Sequence, residues 1–452
     1  MTIVEAGALL RARKVSSLEL TRTCLQRIEK FNPAFNAFIT VTREAAEKRA
    51  SEMDAELTHG IDRGPMHGIP IAYKDLVFTK SVRTTAGSKL YADFVPDHDA
   101  RIVEQFDAAG AVSVGKTGLH ELAYGITSTN PHFGAVRNPW DREAIPGGSS
   151  GGSGTAVVAG MAFMAIGTDT GGSIRIPAAF CGCVGLKPTY GRVSKAGVFP
   201  LGFTLDHIGP LAMSVRDCAI TFEAISDARG VVPAAEIGSL KGVRVGIPEN
   251  TIINRVWPEV KRGVKAFADK AAALGATVVA VRLPEFAELN AVARVILMGE
   301  ATAAHVSNLG KREMFGTDVL ALLDQGRLIS AVDYVNAQRL RKKMTAQFNA
   351  VWKQADCLII PGCPTAAPKI GQNRIEIDGV DDDVRLVTTS LMRGINALGW
   401  PALSLPSGLA DNGMPVGVQM LARAGSEKTL LHVGAALEDA APEFKRLPPG
   451  LA

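Results

Sequence analysis

The chain is poor in several features that would place it elsewhere. It has no stretch of about 18 consecutive apolar residues, so no membrane-spanning helix is expected. Its six cysteines, Cys24, Cys181, Cys183, Cys218, Cys357 and Cys363, contain no C-x-x-C pair and are too sparse for a disulfide framework. They read as small buried hydrophobes in a reduced, cytoplasmic protein. The segment Met1-Thr2-Ile3-Val4-Glu5 lacks the basic stretch and apolar run of a secretory signal. There is no run of like charges. The 49 basic and 45 acidic residues are interspersed and leave a net charge of +4, which lends no support to a nucleic-acid or membrane-surface partner. None of the eight histidines, His120 and His132 near Glu121 included, shows metal-ligand spacing. No internal repeat is present.

Apolar residues at 47% and charged residues at 21% suit a globular enzyme with a large core. Helix and strand signals alternate along the chain. Ser16-Ser17-Leu18-Glu19 forms a capping box. The helix it opens carries Leu20, Cys24 and Ile28 and is predicted to stop near Asn32-Pro33. A second helix is expected from about Thr42 to Gly60. Gly68–Tyr73 reads as a short buried strand that delivers Lys74-Asp75 at its end. Further strands are expected at Ala111–Val114, Val243–Ile247, Thr277–Val281, Cys357–Ile360, Ala402–Leu405 and Val416–Leu421. This alternation predicts one α/β unit over residues 1–452, with helices on both faces of the sheet.

Glycine is concentrated in the middle, beginning with Gly147-Gly148-Ser149-Ser150-Gly151-Gly152-Ser153-Gly154. A phosphate loop would need a lysine after the glycines, and none follows. Gly147-Gly148-Ser149-Ser150-Gly151 matches a G-x-S-x-G nucleophile elbow literally. That elbow must follow a strand, however, and Asn138–Pro146 is not one. It also needs a downstream histidine, and His207, His305 and His432 sit in no distinctive context. A flexible loop without chemistry is the remaining reading of this segment alone, and a second cluster, Asp169-Thr170-Gly171-Gly172-Ser173-Ile174-Arg175-Ile176-Pro177, counts against it.

With both clusters in place the chain resembles the amidase signature family. Gly68-Ile69-Pro70-Ile71-Ala72-Tyr73-Lys74-Asp75 is similar to that family's lysine motif. Cys181 to Arg192, Gly399 to Pro406 and Pro415 to Gln419 are similar to later segments of it. Lys74 precedes Ser149 by 75 residues and Ser173 follows Ser149 by 24, both in keeping with the family. Val158 departs from the pattern, standing where a smaller residue is usual.

The resemblance implies a single α/β domain built on a large mixed sheet, with a Ser–Ser–Lys triad of Ser173, Ser149 and Lys74. Ser173 is the expected nucleophile, Lys74 the base and Ser149 the proton relay, preceded by a cis peptide. A serine hydroxyl needs a base to become nucleophilic, and lysine serves only if burial lowers its pKa. The alternative for Lys74 is an ion pair with Asp75 that would hold it charged. Backbone N–H groups of Thr170, Gly171 and Gly172 are expected to face a developing oxyanion. Ser150 and Asp169 are expected as hydrogen-bonding supports, and Arg175 as an ion-pair partner. The resemblance also places Ala123 and Tyr124 on the acyl side of the substrate pocket. No metal and no cofactor are called for.

The expected reaction is hydrolysis of a linear carboxamide through an acyl-serine, releasing ammonia or an amine. The expected partner is a small-molecule amide, with no nucleic acid and no membrane, and a homodimer is possible. The alternative is the A subunit of a tRNA-dependent amidotransferase, which shares these motifs. Such proteins typically have an aspartate seven residues before the asparagine that here is Asn396, and this chain has Thr389. They also tend to be arginine-rich where Ala321-Leu322 stands.

Overall fold

The computed structural model describes residues 1–250 and 255–451. Local chemistry accounts for the first helices. Ser16 Oγ accepts the Glu19 N–H at 3.1 Å, and the Glu19 carboxylate accepts the Ser16 N–H at 2.7 Å. This closes the expected capping box at the start of the helix Ser17–Phe35. The helix passes through Pro33 instead of stopping there. The ring falls in the last turn, and the helix ends two residues beyond it. Asn36, at φ 51°, ends the helix in the left-handed region. The next helix, Arg43–Thr58, lies where expected.

Eleven strands form one mixed sheet. In chain order they are β1 (Phe38–Val41), β2 (Pro70–Lys74), β3 (Val112–Thr117), β6 (Met164–Asp169), β7 (Val184–Lys187), β8 (His207–Ala212), β9 (Arg244–Pro248), β10 (Thr277–Val281), β11 (Cys357–Pro361), β14 (Ala402–Leu409) and β15 (Pro415–Ala422). Two short ribbons stand apart: β4 (Thr129–Asn130) with β5 (Gly134–Ala135), and β12 (Arg374–Ile377) with β13 (Val380–Asp383). Across the sheet the order is β1-β3-β2-β6-β8-β7-β14-β15-β11-β9-β10.

The seven expected strands are present, within a few residues of their expected bounds. The other four, β1, β6, β7 and β8, are additional to them. β6, β7 and β8 are short, fully buried runs without the alternation that marks a half-buried strand, and β1 is a four-residue strand at the sheet edge. Side chains on β2 and β6 alternate between two core clusters. Ile71, Tyr73, Met164 and Ile166 join one, while Ala72 and Ala165 join the other. The sheet is therefore covered on both faces, as expected. Among the described residues, no helix is long and apolar enough to cross a membrane.

This arrangement gathers the chemistry at one edge. β2 runs parallel to β6, with Tyr73 opposite Ile166. Lys74 at the end of β2 and Thr168-Asp169 at the end of β6 therefore emerge together. In α/β sheets the carboxyl ends of parallel strands are where ligands commonly bind.

Candidate active site

Lys74 is fully buried, and its amine is surrounded by hydroxyls. Nζ lies 2.7 Å from Ser149 Oγ, 3.0 Å from Ser150 Oγ and 2.8 Å from Thr168 Oγ1. Among the described residues no carboxylate pairs with it. Asp75 turns the other way and accepts the Thr85 N–H at 3.0 Å, together with the Thr85 hydroxyl. The ion pair that would have kept Lys74 charged is therefore absent. Burial lowers the Lys74 pKa from 10.5 to about 7, with the Asp169 and Asp206 carboxylates pulling back upward. Three hydroxyls suit either protonation state. They accept three N–H bonds from an ammonium, or one of them donates to a neutral amine. Ser150 already directs its proton to the Thr168 carbonyl at 3.1 Å, which leaves Ser149 and Thr168 as donors to the amine.

Ser149 follows a cis peptide at Gly148–Ser149. A Cβ on Gly148 would lie 2.7 Å from the Ile126 carbonyl carbon, so that position has no room for a side chain. The helix Gly151–Val158 starts directly after the two serines. Ser173 sits in the loop between β6 and the helix Arg175–Cys181. Its hydroxyl makes no hydrogen bond with Ser149 or any other described residue, and Ser173 lines a cavity.

Asp169 shapes the loop that carries Ser173. Its carboxylate accepts the N–H groups of Gly172 at 2.8 Å and Ile174 at 3.1 Å. It also accepts Arg175 Nε at 3.0 Å and Nη2 at 2.9 Å, and Asn396 Nδ2 at 2.8 Å. Burial alone would raise the Asp169 pKa, but the Arg175 guanidinium beside it holds it well below the usual carboxylate range. Arg175 is thus the buried ion-pair partner the sequence suggested. Of the backbone donors before Ser173, Gly172 N–H is already engaged by Asp169. The N–H groups of Thr170, Gly171 and Ser173 have no partner among the described residues.

Ala123, Tyr124, Thr170, Gly171 and Ser173 line one cavity, joined by Thr389, Arg385 and Arg393. Leu122 and Ala123 both adopt positive φ, at 52° and 59°, where the chain turns Tyr124 into the wall. Thr168, Arg385 and Arg393 were not among the residues singled out from sequence. Thr168 lies on one of the four additional strands. The two arginines lie at the starts of two short helices and carry no local signal. No histidine hydrogen-bonds to Ser173. His207 Nδ1 lies 2.6 Å from the Leu205 carbonyl, and His120 pairs with Asp318 at 2.9 Å. No group of three or more metal-ligating side chains occurs among the described residues.

Comparison with known proteins agrees with this geometry. A family model described as Amidase matches residues 19–431. The A subunit of a glutamyl-tRNA(Gln) amidotransferase from Thermosynechococcus vestitus is 38% identical over 99% of this chain and 99% of its own length. Further relatives at 36–37% identity carry the same name. Among solved structures, one belongs to a vestigial protein complex bearing on the evolutionary origins of an s-triazine catabolic enzyme. It shares 33% identity and a TM-score of 0.92, covering 99% of this chain and 100% of that one. A crystal structure of an amidase shares 35% identity and a TM-score of 0.90, covering 97% and 99%.

These relatives correct one expectation. From sequence, the enzyme was expected to have a small-molecule amide and no nucleic acid as partner, with a homodimer possible. The relatives are instead named as subunits of an amidotransferase acting on glutamyl-tRNA. A balanced surface charge argues against a surface that coats nucleic acid, but it carries no information about membership of such an assembly. The matched span and the near-complete coverage of these relatives show that the chain belongs to the amidase signature family, enzymes that hydrolyse carboxamide C–N bonds.

Proposed function

We propose that the chain releases ammonia from a primary carboxamide through an acyl-enzyme on Ser173. The observation that carries this is the buried Lys74 amine, free of any carboxylate partner among the described residues and 2.7 Å from Ser149 Oγ. In this reading Ser149 gives its proton to the neutral amine as it takes the Ser173 proton. Ser173 Oγ attacks the amide carbon, and the oxyanion forms against the unpartnered N–H groups at Gly171 and Ser173. The protonated amine returns a proton through Ser149 to the leaving nitrogen. Water then repeats the sequence on the ester and frees a carboxylate.

The relatives' names support a particular setting for this chemistry, as the A subunit of a tRNA-dependent amidotransferase fed by glutamine. The amidase structures support hydrolysis as the whole reaction. Recovery of the chain with companion subunits and glutamine-dependent amidation of glutamyl-tRNA would establish the first. Ammonia release by the purified chain alone would establish the second. In both settings Ser173→Ala should abolish ammonia release in a folded protein, and a fluorophosphonate should label the parent at Ser173. Labelling at Ser149 would overturn the assignment.

A further inference from the structure

Arg385 and Arg393 line the cavity at Ser173 with no acidic side chain among its lining, while Asp318 and Asp383 act on Arg385 from outside that lining. Arg385 lies on the helix Val384–Thr389, Arg393 on Arg393–Leu398 and Arg294 on Phe286–His305. All three approach Tyr124, and the Arg385 guanidinium stands 5.7 Å from the centre of its ring. Among the described residues none of the three forms an ion pair, although arginines elsewhere commonly do. The buried Arg175, for example, is matched to Asp169. Arg393 is 9% exposed, and its Nε is buried with no hydrogen-bond partner. That Nε lies 3.7 Å from the point a Cβ on Gly171 would occupy, which puts the guanidinium beside the backbone that leads to Ser173.

Burying like charges together is unfavourable. Burial, then the charges of Arg385 and Arg294, lower the Arg393 pKa to about 10. A cluster of this kind is relieved by an anion, and a guanidinium fork matches a carboxylate in particular. No acidic side chain lines the cavity at Ser173. Thr389, which does line it, directs its hydroxyl to the Arg385 carbonyl at 2.9 Å.

From this juxtaposition we infer that the acyl side of the site takes an amide whose acyl group bears its own carboxylate, held by Arg393 and Arg385. The inference rests on the amidase reading of Ser173. Two sources fit the shared chemistry, the monoamide of a dicarboxylic acid and an amino-acid amide such as glutamine. The absence of an acidic partner for an ammonium among the residues lining the cavity favours the first.

Ammonia release by the full chain from succinamate and glutaramate is compared with release from the neutral butyramide and valeramide, and from L-glutamine. A charge-assisted pair gained only by the carboxylated amide raises kcat/KM by about 100-fold for glutaramate over valeramide. In Arg393→Gln that ratio falls toward one. In the parent, glutarate slows fluorophosphonate labelling of Ser173 at concentrations where valerate does not, a readout that does not depend on a variant folding. Glutamine running ahead of glutaramate keeps the carboxylate and assigns it to an amino-acid amide. A ratio near one, with valeramide well hydrolysed, overturns the inference and leaves the amidase reading standing. No release from any amide overturns both.

Discussion

Replacing Lys74 tests whether burial has made it a base. At its ordinary pKa of 10.5 a lysine would be neutral in about 3 of 10,000 molecules at pH 7, a deficit of roughly 5 kcal/mol. With the pKa lowered to about 7, about half is neutral at pH 7 and about one-tenth at pH 6. The pH profile of kcat/KM for ammonia release should therefore rise about tenfold per unit below pH 6 and level off above pH 8. Asp206 pulls the Lys74 pKa upward, so Asp206→Asn should move the midpoint to lower pH. Lys74→Arg should lose at least about 10³-fold and lose the limb as well, because guanidinium stays protonated and cannot accept the proton. The same shift bears on stability. Between about pH 7 and 10.5 the unfolded chain holds a proton that the folded chain lacks, so stability rises with pH across that window. The cost is present in full below pH 7. Lys74→Arg activity within tenfold of the parent, or a parent profile flat from pH 5 to 9, would refute the argument.

Three further outcomes follow from the same site. Arg175→Ala leaves the buried Asp169 carboxylate without its cation, which costs about 3–5 kcal/mol. Chemical denaturation should show the loss, and parent-like stability would exclude a supporting role for the pair. Gly172 has φ +124°, and a Cβ there would meet Ile176 Cδ1 at 2.8 Å and Met392 Cβ at 2.9 Å, whereas a Cβ on Gly171 meets nothing closer than 3.7 Å. Gly172→Ala should therefore lower the melting temperature sharply and Gly171→Ala only slightly, and equal effects would contradict this description of the loop. Asparagine in place of His207, His305 or His432, one at a time, should leave turnover within about tenfold. A loss of about 10⁴-fold at any one of them in a folded protein would indicate a Ser-His-Asp enzyme instead.

The recognisable parts of this protein are those whose chemistry is local. Capping at Ser16 depends on a residue three positions away. Lys74, Ser149 and Ser173 stand in short motifs whose glycines meet backbone requirements close by. The seven expected strands carry apolar runs between turn signals. Strand β6 continues an apolar stretch that begins in the helix Gly151–Val158, so the element that delivers Thr168 and Asp169 to the site is not set apart in the sequence. By itself the sequence determined the α/β class, the family and the three residues on which the proposed chemistry rests. Only the tertiary structure decided that Asp75 turns toward Thr85 and leaves Lys74 among hydroxyls, since the partner of a buried charge is set by packing. Arg294, Arg385 and Arg393 lie on three separate helices, and folding alone brings them to one wall. Charge convergence and desolvation depend on distances that sequence separation does not encode.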